Sequence, residues 1–328
     1  MSKGRILSGM RPTGQLHVGH LIGVLNNWAK LQDEYQCFFM VADIHALTTD
    51  YENPGDLEKS SIEVVKDWLS CGIDPAKSVL FRQSDVPEHA QLHLYLSMLT
   101  PLGWLYRCPS YKEQLKELKE RDLNTHGFLG YPLLQAADIL VYKATAVPVG
   151  EDQLPHIELT REIARRFNSL YTKEKPVFPE PKGLVTPVPK VPGCDGRKMS
   201  KSYNNAVFLS DEKETLQKKI KTMFTDPEKI KIDDKGHPDG CVVFAFHKIF
   251  NPQYRQRETE CKEGKTGCVA CKNGLVDFFE ENLRPLREKR KRIENEYVKK
   301  ILTDGAASAA SVASKTLTQV KKLIGIYG

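Results

Sequence analysis

The chain has 328 residues, of which 40% are hydrophobic and 27% charged, a composition that is ordinary for a globular protein and excludes wholesale disorder. One core rarely organises a chain of this length, so two domains are expected. No apolar run approaches the roughly 20 residues of a membrane span. The N-terminus leads into no long apolar segment, so a secretory signal is not expected and we predict a cytoplasmic protein without a membrane partner.

The net charge of +6 lies entirely in the C-terminal part of the chain. Residues 1–210 hold 24 Lys and Arg against 24 Asp and Glu, whereas residues 211–328 hold 24 against 18. A polyanion would therefore contact mostly the C-terminal part, for example through the basic cluster at 284–292. A solvated, lysine-rich surface explains the same surplus.

In chain order, strand patterns at 6–8, 37–43 and 78–82 alternate with helix patterns at 17–31 and 57–71. This alternation is typical of an α/β fold with a parallel sheet. Ligands of such sheets bind beyond the carboxyl ends of the strands.

After a proline-rich crossing at 176–192, the pattern becomes helical. The predicted helices are 211–224 with Ser210 as N-cap, 274–302 interrupted near Pro285, and 306–324. We place the domain boundary near 205–212.

Two motifs suggest chemistry on phosphates. In the segment 12–21, His17 and His20 flank Gly19 where a turn becomes a helix, a place where free N–H groups and imidazoles favour an anion. Alone, this pattern also fits a polar helix start. The second motif spans residues 198–202, in which two lysines three residues apart on a loop can clamp a polyphosphate.

Together the motifs resemble the two signatures of class I aminoacyl-tRNA synthetases, in the same order. The segments 131–140, 147–153 and 156–161 resemble the tryptophanyl-tRNA synthetases, and the similarity extends over 5–328. The resemblance implies a Rossmann-like, doubly wound parallel sheet in a catalytic domain, 1–208, and an all-helical anticodon-binding domain, 209–328, in a homodimer. It implies activation of L-tryptophan with ATP and Mg²⁺, and transfer to tRNA(Trp).

Residue by residue, the resemblance assigns catalysis to four side chains: His17, His20, Lys198 and Lys201. It assigns ATP binding to Arg11, Pro12, Thr13, Gly19, His20, Gly150, Glu151, Asp152, Val188, Lys198, Met199, Ser200, Lys201 and Ser202. It makes Asp138 the acceptor for the indole N–H, with pocket walls at His45, Tyr131, Gln135, Val147, Val149 and Gln153.

The sequence departs from this family at two places. Gln135 stands where many members carry methionine, and Arg11 stands where glutamine is common. Because a carboxylate accepts a phenol O–H as well as an indole N–H, Asp138 alone leaves tyrosine–tRNA ligase as the alternative. A nucleotidyltransferase with the histidine motif alone, or a non-catalytic tRNA-binding paralogue, would not need both motifs.

Eight cysteines without an export signal predict thiols or metal ligands rather than disulfides. Four of them are clustered in the sequence: Cys241, Cys261, Cys268 and Cys271. Four thiolates fit either Zn²⁺ or a [4Fe–4S] cluster, and only Cys268 and Cys271 form the close pair that is usual for zinc. Some tryptophanyl-tRNA synthetases carry a C-terminal four-cysteine cluster that resembles this one and holds [4Fe–4S]. The resemblance therefore favours a [4Fe–4S] cluster over zinc and implies a structural role.

Overall fold

The structure is a computed structural model that describes residues 3–117, 120–172, 174–185 and 191–326, with the main chain alone at Glu117 and Ser202. Within these ranges, five parallel strands form one sheet in the order β3-β2-β1-β4-β5. The strands are β1 (Arg5–Met10), β2 (Gln36–Val41), β3 (Ser78–Arg82), β4 (Ala146–Val149) and β5 (Lys182–Val185). The α/β class and the doubly wound order are confirmed.

The helices of the described residues fall into two groups. Those that precede or follow the strands are α1 (Val18–His20), α2 (Asn26–Leu31), α3 (Asp43–Asp50), α4 (Leu57–Ser70), α5 (Glu88–Ser97), α6 (Leu102–Tyr106), α7 (Pro109–Glu117), α8 (His126–Val141) and α9 (Leu154–Tyr171). The C-terminal ones are α10 (Lys213–Thr222), α11 (Val242–Phe250), α12 (Tyr254–Lys262), α13 (Cys268–Lys291) and α14 (Asn295–Leu323). None of these is long and apolar enough to cross a membrane.

Two boundary predictions were wrong. Ser210 is not an N-cap, because the carboxylate of Asp211 accepts from the Phe208 N–H and from the Lys219 ammonium, which holds 208–211 as a turn. The helix then begins only at Lys213. Helix α13 also continues through Pro285, and the interruption comes after Lys291 instead.

The chain forms two compact units. The sheet unit comprises Met1–Gly14, Asn27–Pro187 and Glu294–Gly328, and the second unit comprises Gln15–Asn26 and Val188–Ile293. This division differs from the predicted domains 1–208 and 209–328 for two reasons. Helix α14 packs on the sheet unit, and residues 16–18 pair through their main chain with residues 207–209.

Helices cover both faces of the sheet because alternate residues of β2 face opposite sides. On one face, Phe39 stacks on Trp28 of α2 with ring centroids 4.2 Å apart, and Trp28 meets Trp68 of α4 edge-on. On the other face, Phe38 stacks on Tyr142, the residue after α8, at 4.6 Å. The core aromatics thereby fix the position of α8, the helix that carries Asp138.

Helix α14 approaches β3 closely at Gly305. A Cβ at this position would lie 1.8 Å from the carbonyl oxygen of Leu80. Because that oxygen belongs to a strand, no side-chain rotation can remove the clash, and the close packing of α14 requires a glycine.

We expect Gly305→Ala to lower the free energy of unfolding by roughly 1–3 kcal/mol, because overpacking displaces the helix or the strand. The matched control is Gly103→Ala in α6, where an added Cβ meets nothing within 4 Å. Thermal unfolding measures both variants, and equal midpoints would contradict the packing argument.

Candidate active site

The carboxylate of Asp138 is buried on α8, with 1% of the residue exposed. Its Oδ1 accepts hydrogen bonds from Gln83 Nε2 at 2.8 Å and from His89 Nδ1 at 2.7 Å, and its Oδ2 accepts one from His45 Nε2 at 2.8 Å. Burial by itself raises the pKa of Asp138, but the hydrogen bonds from His45 and His89 outweigh it and hold the pKa below its usual range. Asp138 is therefore an ionised acceptor.

The donors reach Asp138 because they follow neighbouring strands. His45 lies in α3 just beyond β2, and Gln83 directly follows β3, so both sit at the carboxyl edge of the sheet. The sequence prediction named Asp138 and His45, which the structure brings into contact. It missed Gln83 and His89, although the position of Gln83 at the end of a predicted strand was an available signal.

The predicted wall residues Tyr131 and Gln135 lie one turn apart on α8 and belong to a second polar chain. Tyr131 Oη donates to Ser110 Oγ at 2.9 Å, Ser110 contacts His156 Nε2, and His156 Nδ1 contacts Gln135 Oε1. Burial lowers the pKa of His156 to about 4, so its ring is neutral. Since Gln135 Oε1 can only accept, His156 Nδ1 carries the proton and Nε2 accepts from Ser110. Sequence reasoning missed Ser110 and His156 as parts of this wall.

The remaining predicted wall residues lie at the end of β4. Val147 and Val149 are two residues apart in the strand and face the same side, as predicted. Gln153 closes the short 3₁₀ turn that follows, where its Nε2 donates to Asp152 Oδ2 at 2.8 Å.

Two predicted ATP-binding segments follow adjacent strands. The segment 11–13 follows β1, and the segment 150–152 follows β4. Strand β1 lies between β2 and β4, where the winding of the sheet reverses, and such switch points bind ligands in open α/β sheets. The guanidinium of Arg11 donates to Thr49 Oγ1 at 3.3 Å.

In the second unit, His17 and His20 cap helix α1. The Gly19 N–H donates to His17 Nδ1, and the His17 N–H donates to His20 Nδ1, each at 3.2 Å. Burial, followed by the charge of Lys201, lowers the pKa of His17 to about 4. Burial, His17 and Lys201 lower the pKa of His20 to about 3. Both rings are thus neutral, and because each Nδ1 accepts, each Nε2 carries the proton and is a donor.

The two signature motifs are tied together within this unit. The Val18 N–H donates to the Val207 carbonyl and the Leu209 N–H to the Leu16 carbonyl, both at 2.9 Å. This pairing follows the lysine loop directly, and it brings Lys201 close enough to lower the pKa of both histidines.

The lysine loop is held by Asn205, a residue that sequence reasoning missed. Its Oδ1 accepts from the Ser200 N–H at 2.9 Å, and its Nδ2 donates to Asp195 Oδ1 at 2.7 Å and to the Lys198 carbonyl at 3.2 Å. Met199 is buried and anchors the loop, whereas Lys198 is exposed. Val188 lies outside the described residues, and so does the side chain of Ser202.

The four clustered cysteines are free thiols that line one cavity in the second unit. Lys229 and Arg257 line the same cavity. Burial, followed by the neighbouring Cys241 and Cys261, raises the pKa of Cys271 to about 12. Among the described residues, no three His, Cys, Asp or Glu side chains converge as the ligands of one metal ion.

The histidine motif makes stability depend on pH. Because the pKa of His20 is lowered to about 3 in the folded protein, the unfolded chain binds a proton at this residue more readily than the folded chain does. The folded state therefore keeps its full stability above pH 6.5 and loses stability as the pH falls below that value. We expect wild type to lose roughly 1–2 kcal/mol more stability than His20→Gln between pH 7 and pH 5. Urea unfolding at both pH values measures this difference. The exposed His126→Gln is the control, and a loss in His20→Gln as large as in wild type would contradict the argument.

The chain is similar to proteins of known activity along nearly its whole length. A family model described as "tRNA synthetases class I (W and Y)" matches residues 2–284. Tryptophan–tRNA ligases from Thermotoga maritima and Aquifex aeolicus are 48% and 45% identical, over 98% of this chain and 99% and 100% of theirs.

A solved structure gives the same result. The tryptophanyl-tRNA synthetase from Campylobacter jejuni, in complex with ADP and tryptophan, superposes with a TM-score of 0.88 at 33% identity, covering 98% of this chain and 99% of the other. Fold, motifs and full-length similarity agree: the chain belongs to the class I tryptophanyl-tRNA synthetases.

Proposed function

We propose that this chain ligates tryptophan to tRNA(Trp) and that Asp138 accepts the indole N–H. The tryptophan carboxylate attacks the α-phosphorus of ATP, the bond to the β-phosphate oxygen breaks, and pyrophosphate leaves. A ribose hydroxyl of the terminal adenosine of the tRNA then attacks the acyl carbon, and AMP leaves. Mg²⁺ enters with ATP as its phosphate complex.

The proposal rests on the buried, ionised carboxylate of Asp138, to which three donors are already bound. Gln83, His89 and His45 each direct an N–H at the carboxylate, so these three donors do not serve a phenol oxygen. An indole N–H needs only an acceptor, whereas a tyrosine hydroxyl also presents an acceptor of its own. This difference favours tryptophan over the tyrosine alternative.

The second unit supplies the groups for phosphate. The Nε2–H groups of His17 and His20 donate to phosphate oxygens without carrying a charge that would have to be desolvated. Lys198 and Lys201 stabilise the negative charge that develops on pyrophosphate. The resemblance also assigns the segments 11–13 and 150–152 to ATP binding.

The partners follow from exposed surfaces. Leu94, Met98, Leu102 and Tyr106 expose apolar side chains along α5 and α6, which supports a homodimer through this surface.

In the basic cluster at 284–292, Arg287 is buried and donates to Glu280 and to the Asp211 carbonyl, so its role is structural. The exposed members of the cluster remain as phosphate contacts for tRNA. The helical anticodon-binding role and the cytoplasmic location remain predictions.

We also propose that Cys241, Cys261, Cys268 and Cys271 hold a [4Fe–4S] cluster. In such a cluster each thiolate binds a different iron, so the four need not converge on one point, and the described thiols do not. Their shared cavity and the cations of Lys229 and Arg257 suit an anionic group. When bound, the cluster crosslinks the cysteine segments and has no redox role in the reaction.

We expect Asp138→Asn to lower kcat/KM for tryptophan because the charged acceptor is lost. The decrease should correspond to a loss of about 1–3 kcal/mol of transition-state stabilisation. The amide oxygen can still receive Gln83 and His89. Pyrophosphate exchange should be compared for tryptophan and for its analogue with sulfur in place of the indole N–H. An equal loss for both substrates would place the indole acceptor elsewhere.

Anaerobic purification should yield about four iron and four sulfide per chain. We expect Cys268→Ser to lose the iron, whereas Cys71→Ser, outside the cavity, should retain it. One tightly bound zinc per chain without iron would show that the site binds zinc and that the proposal of a [4Fe–4S] cluster is wrong.

A further inference from the structure

We infer that His89 and Tyr142 are positioning residues for substrate selection: Tyr142 fixes the tautomer of His89, and His89 keeps Asp138 ready to accept a donor from the substrate. This inference rests on the proposed role of Asp138. Neither residue is among the side chains predicted from the sequence.

The first step is the number of acceptor sites on Asp138. A carboxylate offers about four lone-pair sites. The described donors fill both sites of Oδ1, through Gln83 and His89, and one site of Oδ2, through His45. The open site is therefore on Oδ2, beside His45, and it can receive one N–H.

The second step is the proton on His89, which is completely buried. Because the carboxylate of Asp138 only accepts, Nδ1 of His89 must carry a proton. Its Nε2 lies 2.8 Å from Tyr142 Oη. Burial, followed by the charge of Asp138, raises the pKa of Tyr142 well above its usual value, so the phenol keeps its proton. With the His89 ring neutral, Nε2 is the acceptor and the Tyr142 hydroxyl donates the hydrogen bond to it.

The third step is what happens without this donor. If the phenol is absent, a proton on Nε2 becomes competitive, and the other tautomer then turns a bare Nδ1 lone pair toward the carboxylate. Asp138 would lose one of its three donors in a buried position, which favours the neutral acid. A protonated Asp138 presents an O–H where the substrate needs an acceptor.

The fourth step is the support of Tyr142 itself. Its ring stacks on Phe38 of β2 at 4.6 Å and meets Phe81 of β3 edge-on at 5.6 Å. The phenol is thus fixed by the strands, and Tyr142→Phe removes only the hydroxyl while keeping these ring contacts. This variant separates the tautomer argument from packing.

The test is pyrophosphate exchange with tryptophan and with its sulfur analogue, which lacks the N–H. We expect the ratio of kcat/KM for tryptophan to that for the analogue to fall about 3–10-fold in Tyr142→Phe and at least tenfold in His89→Leu. The change should lie mainly in KM. His89→Asn, whose amide can replace the Nδ1–H, should restore most of the ratio.

The control is Tyr95→Phe, which removes a phenol hydroxyl from α5, the helix of His89, and should leave the ratio unchanged. Equal losses for both substrates in Tyr142→Phe and His89→Leu would overturn the inference and show a structural role alone. Asp138→Asn in the same assay separates the two proposals. If it lowers the ratio and the other variants do not, Asp138 stays the acceptor and the inference fails; if it does not, the acceptor itself is wrong.

Discussion

Burying one carboxylate on α8 constrains the whole sheet unit. An ionised side chain removed from water is strongly unfavourable unless hydrogen bonds replace its hydration. The donors to Asp138 come from α3, from the turn after β3 and from α5, segments that are far apart in the sequence. They meet because β2 and β3 run parallel and end at the same edge, while aromatic stacking on β2 fixes α8. The charge and the topology therefore depend on each other.

The second unit presents hydrogen-bond donors instead of an acceptor, and these donors are neutral. Main-chain N–H groups occupy Nδ1 of His17 and of His20, and burial keeps both rings uncharged. The result is a pair of donors, whereas Asp138 is an acceptor. In the proposed function this contrast matches the two substrates, since indole offers an N–H and ATP offers phosphate oxygens. In each unit, local hydrogen bonds rather than solvent determine whether these side chains donate or accept.

Sequence patterns predicted much of this arrangement because they reflect local rules. β3 has its predicted bounds, and His45 and Asp138, two residues that the resemblance assigned to the tryptophan site, form a hydrogen bond. Contacts that depend on tertiary packing were not predictable. Nothing in the local sequence of Tyr142 shows that its hydroxyl faces His89, and Gly305 reads as an unfavourable helix residue until the Leu80 carbonyl lies against it. The Ser210 cap failed because the distant Lys219 stabilises Asp211 in a competing turn.

The same reasoning explains how the pocket wall tolerates Gln135. A glutamine amide in place of an apolar side chain is costly when its carbonyl is buried without a donor. Here His156 supplies that donor, and Ser110 and Tyr131 supply donors in turn, so the chain of hydrogen bonds from Tyr131 to Gln135 has a consistent direction. The wall is polar but its groups are committed to one another. On the proposed role of Asp138, discrimination between substrates therefore depends on the open acceptor site of its carboxylate, which the departure at position 135 leaves intact.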